Sequence, residues 1–246
     1  MKNITFMVVF LSFILASCNK DASIDKVDET CEFKENVPYS FELVTKPSVW
    51  ATFKSLKEMQ DACQIPENWL DKISTKNLIE TCMNYPLYGM YMAYNNEMDG
   101  IKEIMCNFNG FQELKKRGDA AEKLLDYYDN VSVATKSNGG NLDILNPIHI
   151  GYLELILASD EIFPISKDKN TQRLEKLMKE NLNEKIKHSE IFSINTVRKS
   201  LLIGAKIKLK TISLSTRDSV LLNQFVERGG IVSDPFMYTE ISNIVK

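Results

Sequence analysis

From Ser48 to the C-terminus apolar residues return every three or four positions, and nearly every such run is bracketed by residues that start or stop a helix. Ser74 precedes a run with Leu78, Ile79 and Cys82 on one face, and Pro86 suits a first helical turn, where its missing N–H costs little. Lys115, Lys116 and Arg117 end a stretch before Gly118, as cations do at the negative pole of a helix. Asp119 with Glu122 three residues later predicts a capping-box start for residues 120–128. Asn109-Gly110 predicts a break between two helices, and the Gly139-Gly140 pair centres a loop at 137–141. Leu174, Leu177, Met178, Leu182 and Ile186 predict one amphipathic helix over 170–187. Residues 207–210 alternate as a strand would, but Leu201, Leu202, Ala205, Leu209 and Ile212 favour a helix over 196–209. Ser215 caps a helix that Gly229 closes, and Asp234-Pro235 opens a last one. About ten short helices with no convincing strand pair give an all-α body, arranged as a multi-helix bundle or a short α-solenoid-like stack of helical hairpins.

The first 47 residues follow other rules. Lys2 supplies a positive start, residues 4–16 are almost uninterruptedly apolar, and Leu15, Ala16 and Ser17 stand before Cys18. That run is about 13 residues, too short for the roughly 20 that span a bilayer, so it reads as a secretory signal. Together with Cys18 it resembles the lipobox of bacterial lipoproteins. The resemblance implies removal of residues 1–17, diacylation of Cys18 and attachment to the membrane through an N-terminal lipid. Residues 18–47 are polar with Pro38 and Pro47 and read as a flexible tether, its last part packing on the 48–246 domain as an extended strap.

Loss of Lys2 with the signal takes the formal charge from −3 to −4, the opposite of a nucleic-acid binder's basic footprint. Cys31, Cys63, Cys82 and Cys106 have long, irregular spacings that suit no zinc site. Export permits disulfides, and Cys63–Cys82 is the first pair to consider, but the apolar neighbours of Cys63, Cys82 and Cys106 favour buried thiols.

Ser74-Thr75 with Leu78, Thr81-Cys82, Tyr85-Pro86, the Phe108-Asn109-Gly110-Phe111 run with Leu114 and Arg117, and Asp119-Ala120 with Leu124-Leu125 resemble a group of uncharacterised exported proteins. That group is common in Bacteroidetes and some other gut bacteria. The resemblance covers about residues 50–130. It implies a helical fold and an envelope location, and it carries no activity or catalytic residue.

Histidine supply limits enzymatic readings. His149 lies in an apolar stretch and reads as a partly buried imidazole, while His188 follows Lys185 and Lys187 at a helix end. No nucleophile elbow, metalloprotease pair or phosphate loop is present. Glu154 with Asp160-Glu161 is the most suggestive carboxylate set, though a helix end entering a solvated turn explains it more simply. Asp99 and Glu103 read as a solvent face, and Trp50 and Trp69 as anchors at the core or its edge. Arg117-Gly118-Asp119 spells an adhesion tripeptide but reads as helix punctuation. Asp218-Ser219-Val220 is similar to a short O-glycosylation sequon, a weak match at a helix start.

Tyr85, Tyr88, Tyr91 and Tyr94 recur every three residues among Met83, Met90, Met92 and Met98. This ladder is the candidate binding surface, able to stack on sugar rings or hold a partner helix. The competing reading is a central helix buried all round. The chain thus reads as a non-enzymatic, lipid-anchored protein of the bacterial envelope, most consistent with the outer membrane. Its helical domain would bind a protein partner or an exported polymer. The alternative is glycan binding or processing through the tyrosine ladder or a carboxylate pair. No catalytic residue, cofactor, metal or nucleic-acid partner is assigned.

Overall fold

The computed structural model describes residues 33–131 and 146–246. Cys18 with the signal segment, Cys31, and the glycine loop at 137–141 lie outside the described residues. Lys34–Lys246 pack as one unit. Its elements are α1 (Glu42–Thr45), α2 (Pro47–Trp50), α3 (Leu56–Ala62), α4 (Glu67–Leu70), α5 (Thr75–Met83), a 3-10 helix (Tyr88–Ala93), α6 (Glu97–Asn107), α7 (Asn109–Leu114), α8 (Ala120–Asn130), α9 (Asn146–Leu157), α10 (Lys169–Lys187), α11 (Ile194–Thr211), α12 (Thr216–Glu227) and α13 (Phe236–Val245). The described residues contain no strand, so the all-α class holds, and residues 207–210 are helical.

Two helices organise the bundle. In α9, Ile150 to Leu157 are buried without a break, and in α11 the same is true of Arg198 to Ala205. A helix buried on every side belongs at the centre of a bundle, whereas a stacked hairpin leaves one face to solvent. Helix α11 packs on α9, α10, α12 and α13; α9 also meets α5 and α6, and α8 meets both α5 and α10.

Side-chain caps set several helix starts. Ser74 Oγ accepts from the Asn77 N–H, Asp168 Oδ1 from Thr171, and Ser215 Oγ from Asp218. Each satisfies one donor that the first turn leaves without an intrahelical partner. Asp119 departs from the expected capping box: its side chain makes no cap bond to α8. Instead Oδ1 accepts from the Thr75 hydroxyl at 2.8 Å, tying the start of α8 to that of α5. The break expected at Asn109-Gly110 falls one residue earlier, at Phe108, and Asn109 opens α7.

The tether's last part packs on the body as expected, but partly as short helical turns rather than as an extended strap. Tyr39, Phe41 and Val44 are buried, and 42–50 forms two one-turn helices. The Tyr39 amide donates to Thr81 Oγ1 at 2.9 Å, and the Tyr39 ring meets Trp69 edge-on at 5.3 Å. Burial of aromatic rings offsets the cost of ordering the chain here, and the body therefore begins ahead of Ser48.

Gly229 and Gly230 close α12 with φ of +61° and +84°, a region that L side chains rarely enter. A Cβ on Gly229 would strike Asn96 Oδ1, the atom that caps α6 by accepting from the Met98 N–H. Gly229→Ala is expected to cost about 2 kcal/mol, from left-handed strain plus a weakened cap. Urea unfolding measures it, and an unchanged midpoint would show that this turn tolerates a side chain.

Candidate functional site

The tyrosine ladder does not form one exposed face. Its period of three matches the 3.0 residues per turn of the 3-10 helix that carries Tyr88 and Tyr91. Tyr85 and Tyr91 are buried, Tyr88 is half-buried and Tyr94 is exposed. Tyr85 stacks on Phe108 at 4.2 Å with 19° between the rings, and Tyr91 lies nearly parallel to Tyr152 at 5.8 Å. Tyr88 meets His149 edge-on at 5.2 Å. Two rungs are therefore core, and the chain leaves this stretch as a short 3-10 helix rather than as an α-helix buried all round. Burial pushes the Tyr85 and Tyr91 hydroxyls well above their ordinary range.

Cys63 and Cys82 are buried free thiols, whereas Cys106 is exposed. Burial raises the Cys63 thiol to about 12 and Cys82 well above its ordinary value, so neither offers a thiolate at neutral pH. A thiol-alkylating reagent is expected to modify Cys106 in the native protein, and Cys63 and Cys82 only after unfolding, as read by site-resolved mass spectrometry. Native labelling of Cys82 at the Cys106 rate would contradict the packing of α5.

The carboxylate set separates. Asp160 pairs with Lys206 at 3.1 Å and Lys210 at 2.7 Å, and Glu161 pairs with Lys115. Burial alone would raise the Asp160 carboxyl, but hydrogen bonds from Lys210 and Lys206 hold it below the usual range. These two behave as the solvated-turn reading expects. Glu154 does not: it and Lys185 are both fully buried and paired at 2.5 Å. The Lys185 ammonium also donates to Ser200 Oγ at 3.0 Å and to the Thr196 carbonyl at 3.1 Å, using all three of its donors. Glu154 Oε1 accepts from Ser200 Oγ at 2.7 Å and from Tyr128 Oη at 2.8 Å.

This network ties α8, α9, α10 and α11 together in the middle of the bundle. Burial lowers the Lys185 ammonium while Glu154 opposes it, and burial beside Glu154 drives the Tyr128 hydroxyl far up. A serine beside a lysine can act as a nucleophile and base. Here every polar atom of the set is saturated and the side chains of the ion pair are wholly buried, so the arrangement fits a structural core.

Sequence periodicity missed Lys185 because it sits next to Ile186 at the edge of the apolar stripe. The fold buries Lys185 and exposes Ile186. The row Leu174, Met178, Asn181, Lys185, spaced by four, three and four, was the available signal. It becomes readable only once Glu154 is known to face it.

A second charged cluster adjoins the first. Glu97 Oε2 lies 2.9 Å from Arg198 Nη2 and 3.3 Å from Lys199 Nζ, and all three side chains are nearly buried. Arg198 Nη1 also donates to the Gly229 carbonyl at 3.2 Å. Lys199 Nζ is 3.4 Å from Tyr91 Oη and 4.9 Å from the centre of that ring. Its flank against α9 is set by Gly151, where a Cβ would approach Lys199 Nζ to 3.1 Å. Burial lowers the Lys199 ammonium, against the pull of Glu97.

The remaining candidates resolve simply. Arg117 donates to the carbonyls of Leu70 at 2.9 Å and Ile73 at 3.2 Å and pairs with Glu113 at 2.7 Å. It stitches α7 to the end of α4, which accounts for the tripeptide without adhesion. His188 caps α10 beside Glu184 and Glu190. Asp99 and Glu103 bond to Lys102 and Asn107 on the α6 surface. Trp69 is buried and Trp50 half-buried. Among the described residues no group of acids, histidines or cysteines is placed to hold a metal, and no helix is long and apolar enough to cross a membrane. The class defined here is an all-α bundle with a buried ionic core. No family model matches the chain, and neither the curated proteins nor the solved structures contain a match.

Proposed function

We propose that this chain is a lipid-anchored protein of the bacterial envelope whose helical body binds an exported partner without catalysing a reaction. The observation that carries the reading is Cys18, set directly behind Leu15, Ala16 and Ser17 and a short apolar run. The body adds support for a binding role through apolar side chains left in water. Phe236, at the start of α13, is 83% exposed, and Met92, Tyr94 and Ile231 are exposed as well. Asn96, which contacts the Glu227 carbonyl and the Gly229 turn, joins the segments on which these residues lie. Aromatic and methionine side chains of this kind supply adaptable contact area.

The test is purification of the full chain from its own membranes after mild crosslinking, with Cys18→Ala and Phe236→Ala alongside. The proposal expects mass spectrometry to find a diacylated Cys18 and a stoichiometric protein partner. Cys18→Ala should leave the membrane fraction, and Phe236→Ala should lose the partner. A Cys18 without lipid in the wild type defeats the anchor, and a clean monomer defeats the partner. The glycan reading retains only Tyr94 and half-buried Tyr88 as reachable rungs, and a glycan-binding screen of the full chain separates it from the first.

A further inference from the structure

The stretch 37–57, where the chain enters the body, carries apolar side chains on both of its sides. Tyr39, Phe41 and Val44 turn inward and are buried, and they supply what the core takes from this segment. Val37, Leu43 and Leu56 are nonetheless left in water. Trp50 and Phe53 are half-buried, their rings edge-on at 5.7 Å. The α1 and α2 turns pack against each other, so Leu43 and Trp50 share one region of surface. A single exposed leucine is ordinary. Several apolar groups in so short a stretch, gathered around a tryptophan, mark a contact surface.

Charge narrows what covers it. Residues 46–57 contain Lys46, Lys54 and Lys57 and no acid, and all three lysines are exposed. Lys57 pairs with Asp61 across one turn of α3, a solvent-exposed contact of little strength that an anionic surface can displace. Tryptophan beside lysine suits a membrane–water interface, where the indole sits at headgroup level and the ammonium stays in water. Position along the chain adds a third argument. Lys34, where the packed unit begins, follows Cys18 by 16 positions. A chain of that length reaches at most about 55 Å, so a lipid on Cys18 would keep this entry segment close to the bilayer.

We propose that the surface of residues 43–57 rests on the membrane that holds the Cys18 lipid. Leu43, Trp50 and Leu56 enter the headgroup region, and Lys46, Lys54 and Lys57 meet anionic headgroups. The contact is a second membrane signal beside the acyl chains, and it fixes the orientation in which the body is presented. It rests on the lipid-anchor reading above and uses none of the residues assigned there to the partner.

The test is fluorescence of the full lipidated chain in vesicles of phosphatidylcholine and phosphatidylglycerol, with and without bromine on the acyl chains. Trp50 and Trp69 are the only tryptophans, so Trp69→Phe leaves Trp50 as sole reporter and Trp50→Phe leaves buried Trp69. Brominated lipid should quench most of the Trp50 emission and spare Trp69. Adding Lys46→Gln and Lys54→Gln should lower the ratio of seated to lifted body about 25-fold, at about fivefold per lysine, and restore Trp50 emission. If mass spectrometry finds Cys18 diacylated and Trp50 is not quenched, the membrane face is overturned while the anchor stands. Quenching that both lysine changes leave intact means a body held down by its tether alone, and overturns the face as well. A Cys18 without lipid removes the anchor, and the face falls with it. Should Trp69→Phe fail to fold, amine labelling of the wild type decides. Lys46, Lys54 and Lys57 should react several-fold more slowly on vesicles than in the membrane-free Cys18→Ala chain, with exposed Lys176 as the unchanged reference. Equal rates overturn the proposal.

Discussion

Lys185→Met is expected to destabilise the protein by about 3–5 kcal/mol, because it strands the Glu154 carboxylate in the centre of the bundle. For a body of this size that lowers Tm by roughly 6–20 °C. Tyr128 and Ser200 still donate to Glu154 after the change, which places the effect toward the lower end. The loss arises from an uncompensated charge rather than from the bond itself. Lys185→Met combined with Glu154→Leu and Tyr128→Phe should therefore recover most of it, since well-packed apolar groups often replace a buried pair at no net cost. Chemical denaturation of the single and triple variants makes the comparison. A single variant that loses less than about 1 kcal/mol would show that Glu154 is not stranded in the core without compensation.

The second large effect belongs to Phe108. Its ring is fully buried, stacks on Tyr85, and meets Phe111 at 6.0 Å and 83° and Phe41 at 6.0 Å. Phe108→Ala should cost about 3–5 kcal/mol, as for other buried aromatics cut back to a methyl. Gly110 exists for the same ring: a Cβ there would sit 2.5 Å from Phe108 Cε1 and 3.1 Å from Cys82 Sγ. Gly110→Ala is then an overpacking change of about 1–3 kcal/mol. Because both substitutions act on one volume, Phe108→Leu should soften Gly110→Ala, and a double-mutant cycle reads the coupling. Strict additivity would mean that the ring and the glycine do not share that space.

The run from Phe108 to Phe111 thus has a structural explanation that sequence reading approached from the wrong side. Asn109 looked like a chain break. In the fold its side chain pairs with the Ile65 backbone, accepting from the amide at 2.9 Å and donating to the carbonyl at 2.7 Å. Gln64 returns the favour, accepting from the Asn109 amide and donating to the Asn107 carbonyl, both at 2.9 Å. Two loops that lack regular partners are closed against each other this way, and no local pattern announces a contact more than 40 residues away.

The tyrosine ladder shows a different limit. Tyr88 and Tyr91 share one short 3-10 helix, but a spacing of three carries no information on which rung meets a neighbour. Side chains of α9 meet Tyr88 and Tyr91, and Lys199 of α11 lies over Tyr91, whereas Tyr94 is left exposed.

What the sequence determined by itself is local: the all-α class, the caps at Ser74 and Ser215, the glycine stop after α12, and the amphipathic run through Leu174 and Met178. Each depends on residues within a turn or two of one another, where capping and helical periodicity act. What only the tertiary structure decided is the electrostatics of the interior. Glu154 reads as part of a solvated turn, and no local pattern marks Lys185, Arg198 or Lys199 for burial, where leaving water unpaired would cost each several kcal/mol. They are buried because α6, α9, α10 and α11 bring opposite charges together across long stretches of chain, and that compensation exists only after the helices have packed.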